Sequence, residues 1–137
     1  MMESEDREKP VLTVVRGLPG SGKSTWARRL GCLVLENDMF HVRGGEYRWS
    51  ASRMKDAVSW CMDFVRCALE RGMDVAVANT FCRRRFVEAY RRIAEEAGAG
   101  FRVVRCSGSF GSVHAVPEAT VESMKASFED WPGEEIL

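Results

Sequence analysis

Nine consecutive residues carry the clearest chemistry in this chain. Gly17-Leu18-Pro19-Gly20-Ser21-Gly22-Lys23-Ser24-Thr25 fits the pattern G-x-x-x-x-G-K-[ST] at every fixed position. Glycines at 17, 20 and 22 let backbone N–H groups turn inward around phosphate oxygens, and a helix start behind them adds partial positive charge. Pro19, Ser21 and Thr25 complete the loop expected to hold a nucleotide. Lys23 is expected to reach the β- and γ-phosphates of ATP, and the Ser24 hydroxyl to ligate Mg²⁺.

Phosphoryl transfer also needs a group to take the proton of the attacking hydroxyl. Asp38 is the best candidate, an acid just after an apolar run; the same spacing also suits a helix N-cap for a turn starting at Met39. Asn79 and Thr80 follow another apolar run. Asn79 could hydrogen-bond a substrate hydroxyl or a metal-bound water, or close a turn on its own backbone. Arg83, Arg84 and Arg85 stand at a predicted helix start, where cations oppose the helix dipole. That placement suits an anion bound there; the alternative is three side chains in water. Tyr47 and Trp49 could stack a nucleobase or anchor their own loop.

Alternating strands and helices must position these groups. Val11 to Val15 reads as a buried strand entering the glycine loop, and Trp26 to Leu30 as helix up to Gly31. Cys32 to Glu36 reads as strand two, leaving Asp38 just past its end. Val42 to Ser50, with two glycines, reads as an exposed loop over the site. A helix is predicted over residues 51–71, with Met54, Val58, Cys61, Val65 and Leu69 as its buried stripe. Trp60 and Phe64, beside that stripe, read as core. Strand three covers Asp74 to Ala78. The next helix runs from Arg83 to Ala97 with Phe86, Tyr90 and Ile93 on one face, and strand four covers Phe101 to Cys106. Ser107 to Val116 reads as a mobile glycine- and serine-rich loop. Pro117 opens a last helix with Val121, Met124 and Phe128 inward. This β-α-β-α-β-α-β-α order predicts a parallel sheet with helices on both faces and ligands at the C-terminal strand ends.

The 137 residues suffice for one domain, expected over 10–131, between a disordered acidic tail at 1–9 and an acidic C-terminal tail at 132–137. The net charge is zero, but between the first and last nine residues 18 Lys or Arg face 12 Asp or Glu. A basic, arginine-rich body suits phosphate contacts and equally suits a solvated surface. Five cysteines without C-x-x-C spacing read as reduced thiols of a cytoplasmic protein, and with His41 and His114 the only histidines, no His/Cys metal site is expected. No apolar run is long enough for a membrane span.

Four segments in order resemble one group of proteins. RGLPGSGKST, then E-N-D-M-F after strand two, A-N-T-F after strand three and H-A-V-P before the last helix look like the polynucleotide-kinase-like branch of P-loop kinases, over residues 11–129. The resemblance implies a P-loop NTPase fold, with a four-stranded sheet in the order 2-3-1-4. It implies transfer of the γ-phosphoryl of ATP to a hydroxyl; the basic body and Arg83 to Arg85 then favour a polynucleotide 5′-hydroxyl, and Tyr47 and Trp49 a single strand or overhang. The resemblance also makes Asp38 the general base, sets Asn79 and Thr80 on the acceptor side and brings Val116 and Pro117 near the adenine. Two features depart from the group. His41 stands where phage polynucleotide kinases carry an arginine, and the lid from Ser107 to Val113 has no arginine. Arg105 or one of Arg83 to Arg85 would have to substitute. A small-molecule kinase (for a nucleoside, sugar or antibiotic) and a weakly catalytic ATP-binding regulatory module are the competing readings.

Overall fold

In a computed structural model of the chain, residues 9–43, 45–47, 51–110 and 116–137 are described. The strands are β1 (Val11–Arg16), β2 (Leu33–Leu35), β3 (Val42–Arg43), β4 (Glu46–Tyr47), β5 (Val75–Asn79), β6 (Gly100–Arg105) and β7 (Glu135–Ile136). The helices are α1 (Lys23–Arg28), α2 (Met54–Glu70), α3 (Arg84–Glu96) and α4 (Glu118–Ser127), with 3-10 turns at Asn37–His41 and Ala51–Arg53. The main sheet is parallel, in the order β2-β5-β1-β6-β7. Its first four strands stand in the order expected for strands two, three, one and four.

Strand alternation divides the core into two layers. Leu12, Val14, Val75, Val77 and Val103 face Cys61, Val65 and Leu69 of α2 and Val87, Tyr90 and Ile93 of α3. Val15, Ala76 and Ala78 face Ala27 of α1. The small residues on that second face leave room for α1 to lie close behind the glycine loop. Among the described helices none is long and apolar enough to cross a membrane.

The sheet has five strands, not four. β7 lies in the stretch read as a C-terminal tail and pairs with β6 through Val104–Glu135 and Arg105–Ile136. Its Glu135 and the preceding Glu134 are held by partners distant in sequence, Glu135 by Arg102 and Glu134 by Arg16 and Arg105. The Val42 to Ser50 stretch is not only loop, since β3 and β4 pair antiparallel around Gly45, at φ 80°. In α2 the buried residues are Ala57, Cys61, Val65, Ala68 and Leu69, while Met54 and Phe64 are exposed. Phe64 instead makes a tilted ring contact with Trp60, at 5.8 Å between ring centroids. In α3 Val87, not Phe86, joins Tyr90 and Ile93 inside; Phe86 is exposed under the Arg85 guanidinium.

Candidate active site

The C-terminal ends of β1, β2, β5 and β6 deliver the candidate residues to one edge of the sheet. β1 ends at Arg16, and the loop from Gly17 to Gly22 turns directly into α1. Gly17 N–H donates to Thr80 O at 3.3 Å, which ties the loop's start to the end of β5. A Cβ at Gly17 would lie 2.6 Å from the Cys106 carbonyl, so only glycine fits between β1 and β6 there. Gly22 has φ 94°, the left-handed geometry that lets the chain enter α1 from the loop.

Lys23, the first residue of α1, reaches back across the loop and donates to Leu18 O at 2.9 Å. Burial pushes its ammonium below the ordinary lysine value, and the nearby Cys106, Glu36 and Asp38 act against that shift. Asp38 is therefore within electrostatic reach of Lys23. It sits inside the 3-10 turn Asn37–His41, just past β2.

Asn79 positions that turn. Its Oδ1 accepts the Asn37 backbone N–H at 2.8 Å, and so joins the end of β5 to the segment carrying Asp38. Its Nδ2 is buried without a hydrogen-bond partner, as are Asn37 Oδ1 and Ser21 Oγ. Three orphaned polar atoms at one edge are what a site for a polar ligand leaves unfilled.

Glu36 was missed as a site residue. It follows β2 directly, and its Oε1 accepts the Ser24 hydroxyl proton. The sequence shows it only as a strand's last residue; the signal was an acid at the C-terminal end of a strand two residues before Asp38. Among the described residues no cluster of three His, Cys, Asp or Glu could hold a metal alone. Ser24 and Glu36 together offer two hard oxygen donors beside the phosphate loop. That pair fits Mg²⁺, which takes one or two protein oxygens and completes its shell with phosphate and water.

The arginine substitutes for the lid separate clearly. Arg105 donates to Asp130 at 2.5 Å and lies over the Phe128 ring, so it is committed to the C-terminal segment. Arg84 donates from Nε to Asp130 O, and its backbone N–H is taken by Glu129 Oε1, both at 2.9 Å. The anion at this helix start is thus the chain's own Glu129. Arg83 and Arg85 remain, exposed, with Arg84 and Glu129 around a cavity of about 480 Å³. Arg83 follows Cys82, itself within electrostatic reach of Lys23.

The lid begins against the phosphate loop. Phe110 N–H donates to Gly20 O at 2.7 Å, its ring lies beside Gly22, and the Ser107 hydroxyl donates to Leu137 O. Residues 107–110 of the stretch read as mobile are therefore tied at both ends. Residues 111–115, with His114, lie outside the described residues, as do Trp49 and the side chains of His41 and Tyr47. Val116 and Pro117 lead into α4.

The family model described as an AAA domain matches residues 12–110. Among solved structures, the chain is similar to one in the Pnkp1/Rnl/Hen1 RNA repair complex, with TM-score 0.71, 18% identity and coverage of 92% of this chain and 46% of that one. Kti12 of Chaetomium thermophilum, solved with ADP-AlF3, gives TM-score 0.67 and 17% identity over 92% of this chain and 88% of that one. A gluconokinase from Sinorhizobium meliloti 1021 gives 0.60 and 22% over 96% and 82%. The match to the family model covers most of the sheet and the whole phosphate loop: the chain belongs to the AAA domain family, and its fold is that of the P-loop kinases.

Proposed function

We propose that this protein is an ATP-dependent phosphotransferase that moves the γ-phosphoryl of ATP to the 5′-hydroxyl of a polynucleotide. The observation that carries the reaction type is the convergence of Lys23, the Ser24–Glu36 pair and Asp38 on one strand edge, with Asp38 in the field of Lys23. Backbone N–H groups of the loop from Gly17 to Gly22 and the Lys23 ammonium bind the phosphates. Asp38 accepts the acceptor's hydroxyl proton as that oxygen attacks the γ-phosphorus. The bond to the β–γ bridging oxygen breaks and ADP leaves. Asn79 Nδ2 is the spare donor to orient the acceptor hydroxyl, with Thr80 beside it. Ser24 and Glu36 would hold Mg²⁺, which neutralises charge on the β- and γ-oxygens. Val116 and Pro117 flank the adenine, and His41 and Tyr47 lie on the acceptor side.

The nucleic-acid acceptor rests on Arg83 and Arg85, two exposed guanidinium groups on one cavity next to this edge. Similar folds include both a protein of an RNA repair complex and a gluconokinase, so a polynucleotide and a small polyol are both within reach of this architecture. The small-molecule reading draws on a separate observation: the chain's own acids Asp130 and Glu134 engage Arg105, which thins the cationic surface. Anisotropy of a labelled single strand across a salt series separates the two. Log affinity should fall with log salt by about 0.7 per phosphate contacted, and replacing Arg83 and Arg85 by Gln should flatten the slope by about 1.4. Absence of binding at low salt would remove the polynucleotide and leave the small-molecule kinase.

A further inference from the structure

We propose that the Arg16–Glu134 ion pair is a positioning device, through which the C-terminal segment from Phe128 to Leu137 holds the Thr80–Cys82 turn and Arg83 against the phosphate loop. This rests on reading that edge as the kinase site.

Arg16 directly precedes Gly17, and its side chain is fully buried. Its Nε and Nη2 both donate to Phe81 O, at 3.1 and 2.6 Å. Nη2 also donates to Glu129 O at 2.7 Å, and Nη1 to Glu134 Oε1 at 2.8 Å. The Phe128 ring lies 4.4 Å from the guanidinium carbon. The Glu134 side chain is only 4% exposed, and its Oε2 accepts the Trp131 N–H at 3.0 Å. One buried cation therefore joins the phosphate loop's first residue, the acceptor-side turn and the C-terminal segment.

The turn it holds is unusual. Phe81 has φ 47°, the one positive value outside glycine among the described residues, and a bulky residue there is strained. Three consecutive carbonyls fix it. Thr80 O accepts from Gly17 N, Phe81 O from Arg16, and Cys82 O from Glu129 N at 2.8 Å. Arg83 comes next, and Arg84 N–H is already held by Glu129. Arg83 thus hangs between two anchors that both come from the C-terminal segment, which lies outside the stretch matched by the family model.

A buried ion pair is a poor source of net stability, since apolar groups of the same shape serve as well. It is an effective way to impose one geometry, because any other arrangement leaves a buried charge unmet. The geometry imposed here is the distance between the phosphate loop and Arg83.

The test is amide hydrogen exchange of the full chain, with calorimetric ATP titration and transfer kinetics, on Glu134→Ala and Glu134→Gln. In the Ala variant, exchange at residues 80–84 should quicken by about tenfold or more while the central strands stay protected and ATP affinity holds within about twofold. Acceptor KM should rise and kcat fall. The Gln variant, which keeps an oxygen for Arg16, should restore most of the protection and the kinetics. If the Ala variant does not fold, Glu134→Asp, with the charge drawn back one methylene, should show the same local pattern. Unchanged exchange at 80–84 would overturn the proposal. So would loosening spread evenly over the sheet with a parallel loss of ATP affinity, since that is plain destabilisation. Exchange needs no acceptor: a wild-type protein that transfers nothing would sink the kinase reading while the exchange result still decided this one.

Discussion

Replacing Lys23 by Met keeps the chain length and apolar stem but removes the ammonium. That ammonium is buried and donates a hydrogen bond to Leu18 O. Removing it should weaken ATP binding by the worth of a charge-assisted contact, about 1.5–3 kcal/mol, or roughly 10- to 150-fold in Kd. The direction of the Lys23 shift adds two expectations. Because burial of the charge disfavours it, the free variant should be no less stable than wild type, and its Tm equal or higher. Between the depressed folded value and the usual one near 10.5, the unfolded chain binds more protons, so wild-type stability rises with pH through that window. Phosphate oxygens favour the charged form, so ATP binding within the window should take up a proton and weaken as pH climbs. Titration calorimetry in buffers of different ionisation enthalpy reads that proton directly, and the Met variant should lack it. Unchanged affinity in the variant would remove Lys23 from the phosphate site. A loss of affinity accompanied by a lower Tm would show that the variant had lost the fold and not a contact.

The other residues of the site give two shorter tests. Asp38→Asn keeps the shape of the 3-10 turn, so ATP affinity should hold while transfer falls by roughly 10²–10⁴-fold in single-turnover assays; turnover within a fewfold of wild type would return Asp38 to a capping role. Glu36→Gln can still accept from Ser24, so the Mg²⁺ needed for half-maximal ATP binding should rise about tenfold while binding without Mg²⁺ is unchanged or tighter. An identical Mg²⁺ requirement would leave Glu36 as a partner of Ser24 only.

What could be read from the chain alone was local in sequence. The glycine loop declares itself in nine residues, and the strands around it in apolar runs of five or six. Their parallel direction followed from alternation, because parallel strands need a crossover helix, and their order from the resemblance to P-loop kinases. What escaped the reading was long-range. Arg16 and Glu134 lie 118 positions apart, and no periodicity links them. β7 is two residues long, begins with an acid and follows another, with no apolar run to mark it; Arg102 and Arg105 on the neighbouring strand make it a strand. Phe86 and Val87 differ by one position, and both fit a helical stripe through Tyr90. Only packing against the sheet decides between them.

The same pairings change the argument from charge. Counted along the chain, the body between the tails is basic by six. Folded, the C-terminal acids are part of that body: Glu134 neutralises Arg16 internally, Glu135 engages Arg102, and Asp130 engages Arg105. On the proposed reading, an acceptor strand would not meet a broad cationic face near β6 and β7. It would meet Arg83 and Arg85, presented at the start of α3 by a turn whose carbonyls are all taken. Two exposed guanidinium groups around one cavity suit a short anionic contact, a single phosphate of the acceptor, better than a long electrostatic track. Affinity for nucleic acid should therefore depend little on strand length beyond the first few nucleotides. Anisotropy with single strands of about 4, 8 and 16 nucleotides checks it, since a continuous basic groove would gain phosphate contacts with each added length. Affinity that climbs steadily to the longest strand would show a second cationic surface and contradict this account of the charge.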